Sequence, residues 1–209
     1  MRRLIKPAIF VACLIPVVWL IYGAFTHALG ANPIETITNE TGVWTLRLVA
    51  VTLAITPLRK LTRWNALIRY RRMLGLFAFF YGCLHFLTYV WLDQFFAIED
   101  IVADVVKRPF ITVGFTAFVL MIPLALTSTA GWIRRLGGRR WNLLHRLVYL
   151  SGIFGVIHYL WLVKADTSRP IRYGVIIGSL LLARLLLAWR GRVAATRASA
   201  SARLAPMRQ

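Results

Sequence analysis

Four histidines carry most of the chemistry this sequence can offer, and two of them share one stretch. Residues 139–164 read RRWNLLHRLVYLSGIFGVIHYLWLVK, an apolar run with basic residues at both ends and His145 and His158 inside it. The two are 13 residues apart, so an α-helix would separate them by roughly 20 Å along its axis. A bilayer's hydrocarbon core is about 30 Å thick. If the stretch spans a membrane, one imidazole lies towards each face. Ionisable residues inside spans are rare and mark function. Imidazoles at two depths fit two tiers of haem ligation; they also fit hydrogen bonding between packed helices. Thirteen steps of 100° leave the rings about 140° apart on an ideal helix. Two haems would then sit on different flanks, or the helix would deform, with Gly152 and Gly155 as the points of bending.

The elements that must position these rings follow from composition. Of the 209 residues, 59% are hydrophobic and the mean hydropathy is +0.66. That is more apolar than a soluble domain and reads as a polytopic membrane protein. Little length remains for a soluble domain once the spans are counted. Cys13 and Cys83 sit far apart in apolar segments, so neither a disulfide framework nor a thiolate metal site is indicated.

Six spans can be marked. The first is the apolar run 7–26 after Arg2, Arg3 and Lys6, kinked at Pro16 and read as a retained helix rather than a signal peptide. A polar stretch, 27–42, follows and holds His27, Glu35 and Glu40. The second span, 41–58, is short and closed by Pro57, with Arg47 a turn inside. That arginine can snorkel to the interface or pair with an anionic group such as a haem propionate; snorkelling is the simpler reading. The third span, 73–92, carries His85, the fourth is 109–127, the fifth is the opening stretch and the sixth is 173–189. Residues 93–108 and 128–140 read as loops, and the Ala- and Ser-rich tail as disordered.

Charge orients the bundle. Eighteen of the 26 Lys and Arg fall in the termini and the second and fourth loops, five in the other loops and three, Arg47, Arg146 and Arg184, within spans. All seven carboxylates lie on the sparsely basic side. By the positive-inside rule both termini are cytoplasmic. The same distribution accounts for the net charge of +19 through contact with anionic lipid rather than nucleic acid.

On this topology His85 and His158 lie at similar depth in the outer half, on different helices. Six-coordinate haem b requires two facing neutral imidazoles. Gly82 and Gly155 each stand three residues before a histidine, on roughly the same helix face, where a missing side chain would admit a flat macrocycle or a neighbouring helix. No carboxylate lies in any span, which disfavours a zinc or iron site with protein ligands alone. His145, near the cytoplasmic face, has no histidine at the facing depth of the third span; Arg71 and Arg72 stand there. They are candidate contacts for an inner haem or for a donor.

The segments RRMLGLFAFFYGCLHFLTYVW and RRWNLLHRLVYLSGIFGVIHYLW, with the loop RRLGGRRWNLLHR, resemble the ferric-reductase-like transmembrane domain. Within it they are most similar to the MsrQ (YedZ) family of haem-binding membrane subunits. The resemblance covers nearly the whole chain. It implies an all-α, six-transmembrane-helix bundle in the bacterial inner membrane; with the charge asymmetry this is N-in and C-in, residues 1–192 forming the haem-binding domain and 193–209 a cytoplasmic tail. It implies His85, His158 and His145 as haem iron ligands, heme b as cofactor, and FMN as a second. It implies electron transfer from the quinone pool or a cytosolic flavin reductase to a periplasmic molybdopterin subunit, MsrP, that repairs oxidised methionine. The substrate reduction site would lie on that partner, making this chain an electron-transfer subunit. The related NADPH oxidases carry two histidines on each of two helices; Arg71 and Arg72 depart from that pattern. No Gly-x-Gly-x-x-Gly follows a strand, so nucleotide binding in the oxidases' manner is not expected.

Two other readings stand beside this one: a quinone- or ascorbate-linked transmembrane cytochrome with a different acceptor, and a non-haem transporter using buried histidines. A visible spectrum separates the haem readings from the last. The orientation has its own test. Reporters fused after Glu35 or Asp100 should be active outside the membrane, and after Gly138 inside; the reverse pattern would overturn the depth assignment of every histidine.

Overall fold

The long segments are apolar nearly all round, as helices that span a bilayer are, so small residues and polar groups rather than an amphipathic stripe decide which faces pack. In the computed structural model, which describes the backbone of residues 4–204 and the side chains of residues 4–196, those faces meet. Among the described residues the chain is all-helical: α1 (Ile5–Phe25), α2 (Pro33–Thr62), α3 (Ile68–Leu87), α4 (Ile98–Lys107), α5 (Pro109–Leu126), α6 (Ala130–Leu144), α7 (Leu147–Leu162) and α8 (Ser168–Leu204). Six helical stretches are long and apolar enough to cross a membrane: Ile5–Phe25, Pro33–Thr62, Asn65–Asp93, Pro109–Leu126, Ala130–Leu162 and Ser168–Thr196. α2 packs along α3, α5 along α7, and α8 against both α2 and α7, while α1 touches α2 and α3 from outside. The core is Leu46, Val49, Ala50 and Leu53 of α2 against Leu74, Phe77, Ala78 and Tyr81 of α3, closed by Met121 and Ile177.

α2 differs from its expected limits at both ends. It starts at Pro33, inside the stretch that reads as polar loop. Asn32 caps it, accepting from the Glu35 N–H at 3.2 Å; proline at the first helical position and an acid in the first turn complete a strong start. Pro57 lies inside the helix rather than closing it. Proline has no N–H to offer the Leu53 carbonyl. Arg184 of α8 supplies the donors instead, from Nε at 2.9 Å and Nη2 at 2.7 Å, while its Nη1 donates to the Tyr149 hydroxyl at 3.0 Å. One guanidinium therefore ties α8 to α2 and α7.

A second polar insertion stands at the kink of α1. The wholly buried Tyr81 hydroxyl accepts from the Val17 N–H at 3.2 Å and donates to the Cys13 carbonyl at 2.7 Å. It sits between the donor and the acceptor of one helical rung, next to Pro16.

The connections also hold more helix than expected. Residues 93–108, read as loop, contain α4, with Ile98, Val102 and Val106 exposed along one stripe. Of residues 128–140, also read as loop, all from Ala130 on lie in the basic helix α6, which breaks at Gly137 (φ 69°, ψ 153°). The chain bends at His145 and Arg146, not at Gly152 or Gly155: the Arg146 N–H reaches back only to Leu143. His145 and His158 therefore do not share one continuous helix. At the C-terminus α8 continues to Leu204, through the stretch read as disordered, since its alanines and arginines favour helix; residues 205–209 lie outside the described residues.

Replacing Tyr81 by Phe keeps the packing but strips both α1 groups of their partner. The variant should lose about 1 kcal/mol, read as a lower thermal unfolding midpoint in detergent micelles. An unchanged midpoint would show that the hydroxyl does not hold α1.

Candidate functional site

Two helix pairs, α2 with α3 and α5 with α7, each deliver one histidine to a common cavity of about 350 Å³. His85 comes from α3, and its Nδ1 lies 2.9 Å from the carbonyl oxygen of Thr38 on α2. His158 comes from α7, and its Nδ1 lies 2.7 Å from the carbonyl oxygen of Phe110 on α5. A carbonyl only accepts, so in the neutral rings each Nδ1 carries the hydrogen and each Nε2 keeps its lone pair. No group among the described residues bonds to either Nε2.

The two contacts share a construction. The residue four along from each carbonyl is glycine: Gly42 after Thr38 and Gly114 after Phe110. A Cβ on Gly42 would stand 3.0 Å from Cε1 of His85, and one on Gly114 only 2.5 Å from Nδ1 of His158. In a helix the carbonyl of residue i already accepts from the N–H of residue i+4. A ring that reaches the same oxygen must lie over residue i+4, and glycine leaves that path open.

The ring centroids of His85 and His158 are 6.1 Å apart, with an interplanar angle of 72°. Two imidazoles ligating one metal ion from opposite sides, with bonds of about 2 Å, have centroids about 6 Å apart. Ligating histidines donate their other ring N–H to a carbonyl or carboxylate, which fixes tautomer and orientation; both rings do so here. Among the described residues no cluster of three or more His, Cys, Asp or Glu could hold a bare ion. Two facing imidazoles without further protein ligands suit a metal that brings its own equatorial ligands. The walls suit a flat apolar body: Leu46, Val49, Phe86, Phe115, Phe118 and Met121 line the cavity. Gly82 and Gly155 line it too, as their spacing from the histidines leads one to expect.

Beyond His85 the chain takes a π-helical turn, Thr88–Asp93, bonded from the Gln94 N–H to the Tyr89 carbonyl at 3.0 Å. Such turns often mark functional sites. This one brings Tyr89 and Asp93 to the cavity on the same flank as His85.

The other candidate residues stand elsewhere. His145 does not line the cavity. Trp141 stacks on it with centroids 3.8 Å apart, and its Nε2 lies 3.1 Å from the Thr127 hydroxyl. That hydroxyl gives its hydrogen to the Pro123 carbonyl at 2.6 Å, so Nε2 of His145 is the donor and Nδ1 keeps the lone pair. This is the opposite tautomer to the cavity pair. Arg71, half-buried, is an electrostatic neighbour of His145, Arg184 and Arg59; Arg72 is exposed. Neither lines the cavity. Arg47 turns to α8, donating to the Tyr173 hydroxyl at 2.9 Å with its guanidinium 4.6 Å over Trp44.

Residues 41–156, which include α3, α5 and most of the cavity wall, match the family described as the ferric reductase like transmembrane component. The chain belongs to this family. Its relatives sharpen the placement. A protein-methionine-sulfoxide reductase heme-binding subunit MsrQ of Herminiimonas arsenicoxydans is 58% identical over 191 residues, covering 90% of this chain and 88% of the relative. Its namesake in Rhodospirillum rubrum is 55% identical over 192 residues, covering 91% of each. The one in Caulobacter vibrioides is 47% identical over 196 residues, covering 94% and 92%. Within the ferric-reductase-like family the chain thus falls among the MsrQ proteins, and six apolar helices agree with a multi-pass membrane protein.

The glycines and carbonyls that seat the rings were not found from the sequence. A signal was present: a glycine on a span other than the histidine's own, Gly42 or Gly114. It acquires meaning only once the helix pairing is known.

Proposed function

We propose that this chain is the haem-bearing electron-transfer subunit of a methionine sulfoxide reductase system, with His85 and His158 as the axial ligands of one haem b. The observation that carries the proposal is the pair itself: two half-buried imidazoles, centroids 6.1 Å apart, each with Nδ1 bonded to a backbone carbonyl and Nε2 left free. When bound, the haem supplies one-electron exchange at iron. The residues of the chain do the rest. Thr38 and Phe110 hold the tautomer that presents Nε2. Gly42 and Gly114 let the rings reach those carbonyls. Phe86, Phe115 and Phe118 keep water from the cavity, so little solvent has to reorganise when charge moves.

The relatives' name supports a partner that reduces methionine sulfoxide. In this reading that partner is the periplasmic molybdopterin subunit MsrP, and electrons reach the chain from the quinone pool or a cytosolic flavin reductase in the bacterial inner membrane. In the same reading, which the charge asymmetry supports, both termini lie in the cytoplasm, the cavity near the periplasmic side and His145 with Arg71 near the other. A second, inner haem would have the free Nδ1 of His145 as its histidine ligand, with Trp141 covering one ring face. FMN rests on the family resemblance, and the basic residues of the cytoplasmic side are where its phosphate would find cations.

Haem per protein and low-spin spectral amplitude test the assignment. His85→Ala and His158→Ala should each lose most of the low-spin signal, and His145→Ala should keep it. Gly114→Ala should lose more than Gly42→Ala, since its Cβ would meet the ring at 2.5 Å rather than 3.0 Å. Equal loss in all three histidine variants, or loss in His145→Ala alone, would reject the paired ligation.

A further inference from the structure

One arginine or lysine stands among the residues that line the cavity, Arg108, where α4 meets α5. It is fixed on one side only. Its Nε lies 3.1 Å from one oxygen of the Asp104 carboxylate, and the other oxygen of that carboxylate accepts from the Tyr89 hydroxyl at 3.2 Å. Tyr89 is itself part of the cavity wall. The corner is braced by the Thr112 hydroxyl, which reaches the Val105 carbonyl and, at 3.2 Å, the Arg108 carbonyl. Phe110, whose carbonyl orients His158, follows two residues later. Neither Nη atom of Arg108 has a hydrogen-bond partner among the described residues.

A guanidinium is a fixed fork of five donors matched to a carboxylate. Asp104 takes the Nε donor and leaves the Nη edge available. Among the described residues that line the cavity, the one other charged side chain is Asp93, which repels an anion. An occupant with carboxylate substituents therefore has one favourable charged partner there.

We propose that Arg108 is the carboxylate-binding residue of this cavity: its Nη edge takes a propionate of the haem that His85 and His158 hold, and Asp104 with Tyr89 orients it. The proposal rests on the haem reading above and adds to it how the macrocycle is turned about the axis between the two histidines. The bundle has other arginines, but neither Arg47 nor Arg184 lines the cavity: Arg47 lies over Trp44 and donates to Tyr173, and Arg184 is bonded to Leu53 and Tyr149.

The test titrates apoprotein in detergent with haem b and, separately, with its dimethyl ester, following the low-spin Soret band. The ester keeps the iron and ring and removes both negative charges. Wild type should bind the acid roughly tenfold or more tighter than the ester, the scale of a charge-assisted hydrogen bond. Arg108→Gln should bring the two affinities together by weakening the acid alone. Arg108→Lys should keep part of the preference, since the charge remains and the fork does not. Equal affinities in wild type, or a preference unchanged in Arg108→Gln, would overturn the proposal. Should Arg108→Gln bind neither ligand, the wild-type comparison and Arg108→Lys decide. A wild type that binds neither form would overturn the haem reading itself, an outcome distinct from equal binding of both.

Discussion

Two backbone carbonyls accept a second hydrogen bond, and the cavity depends on it. The Thr38 and Phe110 oxygens lie in helices, where the i+4 N–H already uses them. Each still has a lone pair for an imidazole N–H, provided nothing stands over the next turn. Gly42 and Gly114 meet that condition, one on each helix pair. The result is two rings with defined tautomers, presented across a cavity from opposite walls, without any side-chain partner. In an apolar bundle this has an advantage over a carboxylate partner: no second ionisable group has to be buried to orient the first.

The frame around the cavity is held by polar groups placed where prolines interrupt helices. Pro57 frees the Leu53 carbonyl, and Arg184 takes it, joining α2, α7 and α8. Next to Pro16, the Tyr81 hydroxyl bridges Cys13 and Val17 and fastens α1 to α3. Helices in a bilayer gain little from hiding apolar surface from one another, because lipid is as apolar as leucine. Hydrogen bonds and close packing at small residues must specify the arrangement instead. Gly152 shows the packing half of this: a Cβ there would be 3.4 Å from Val49.

What the sequence made legible is what the length of apolar runs and the spacing of residues within them encode. The six apolar spans, the meeting of His85 and His158 in one cavity, and the placing of Gly82 and Gly155 on its wall all follow from residue spacing along single helices. The misses come from interactions between segments or from local caps. The helical start at Pro33 hides in a polar stretch whose Asn32 cap outweighs its low hydropathy. Pro57 reads as a terminator because Arg184, 127 residues later, is invisible to a local reading. The bend before α7 falls at His145, where Trp141 and Thr127 grip the ring, and not at the glycines that flexibility alone would choose. Gly42 and Gly114 are ordinary glycines until the histidines of neighbouring helices are laid over them.

The central claim is that one haem is ligated by two imidazoles. Near-infrared magnetic circular dichroism of the ferric protein reads the chemical identity of both axial ligands from the position of the ligand-to-metal charge-transfer band. The account predicts the bis-imidazole signature for wild type, retained in His145→Ala. A signature of one imidazole with a different sixth ligand, or its loss in His145→Ala with retention in His85→Ala, would contradict it.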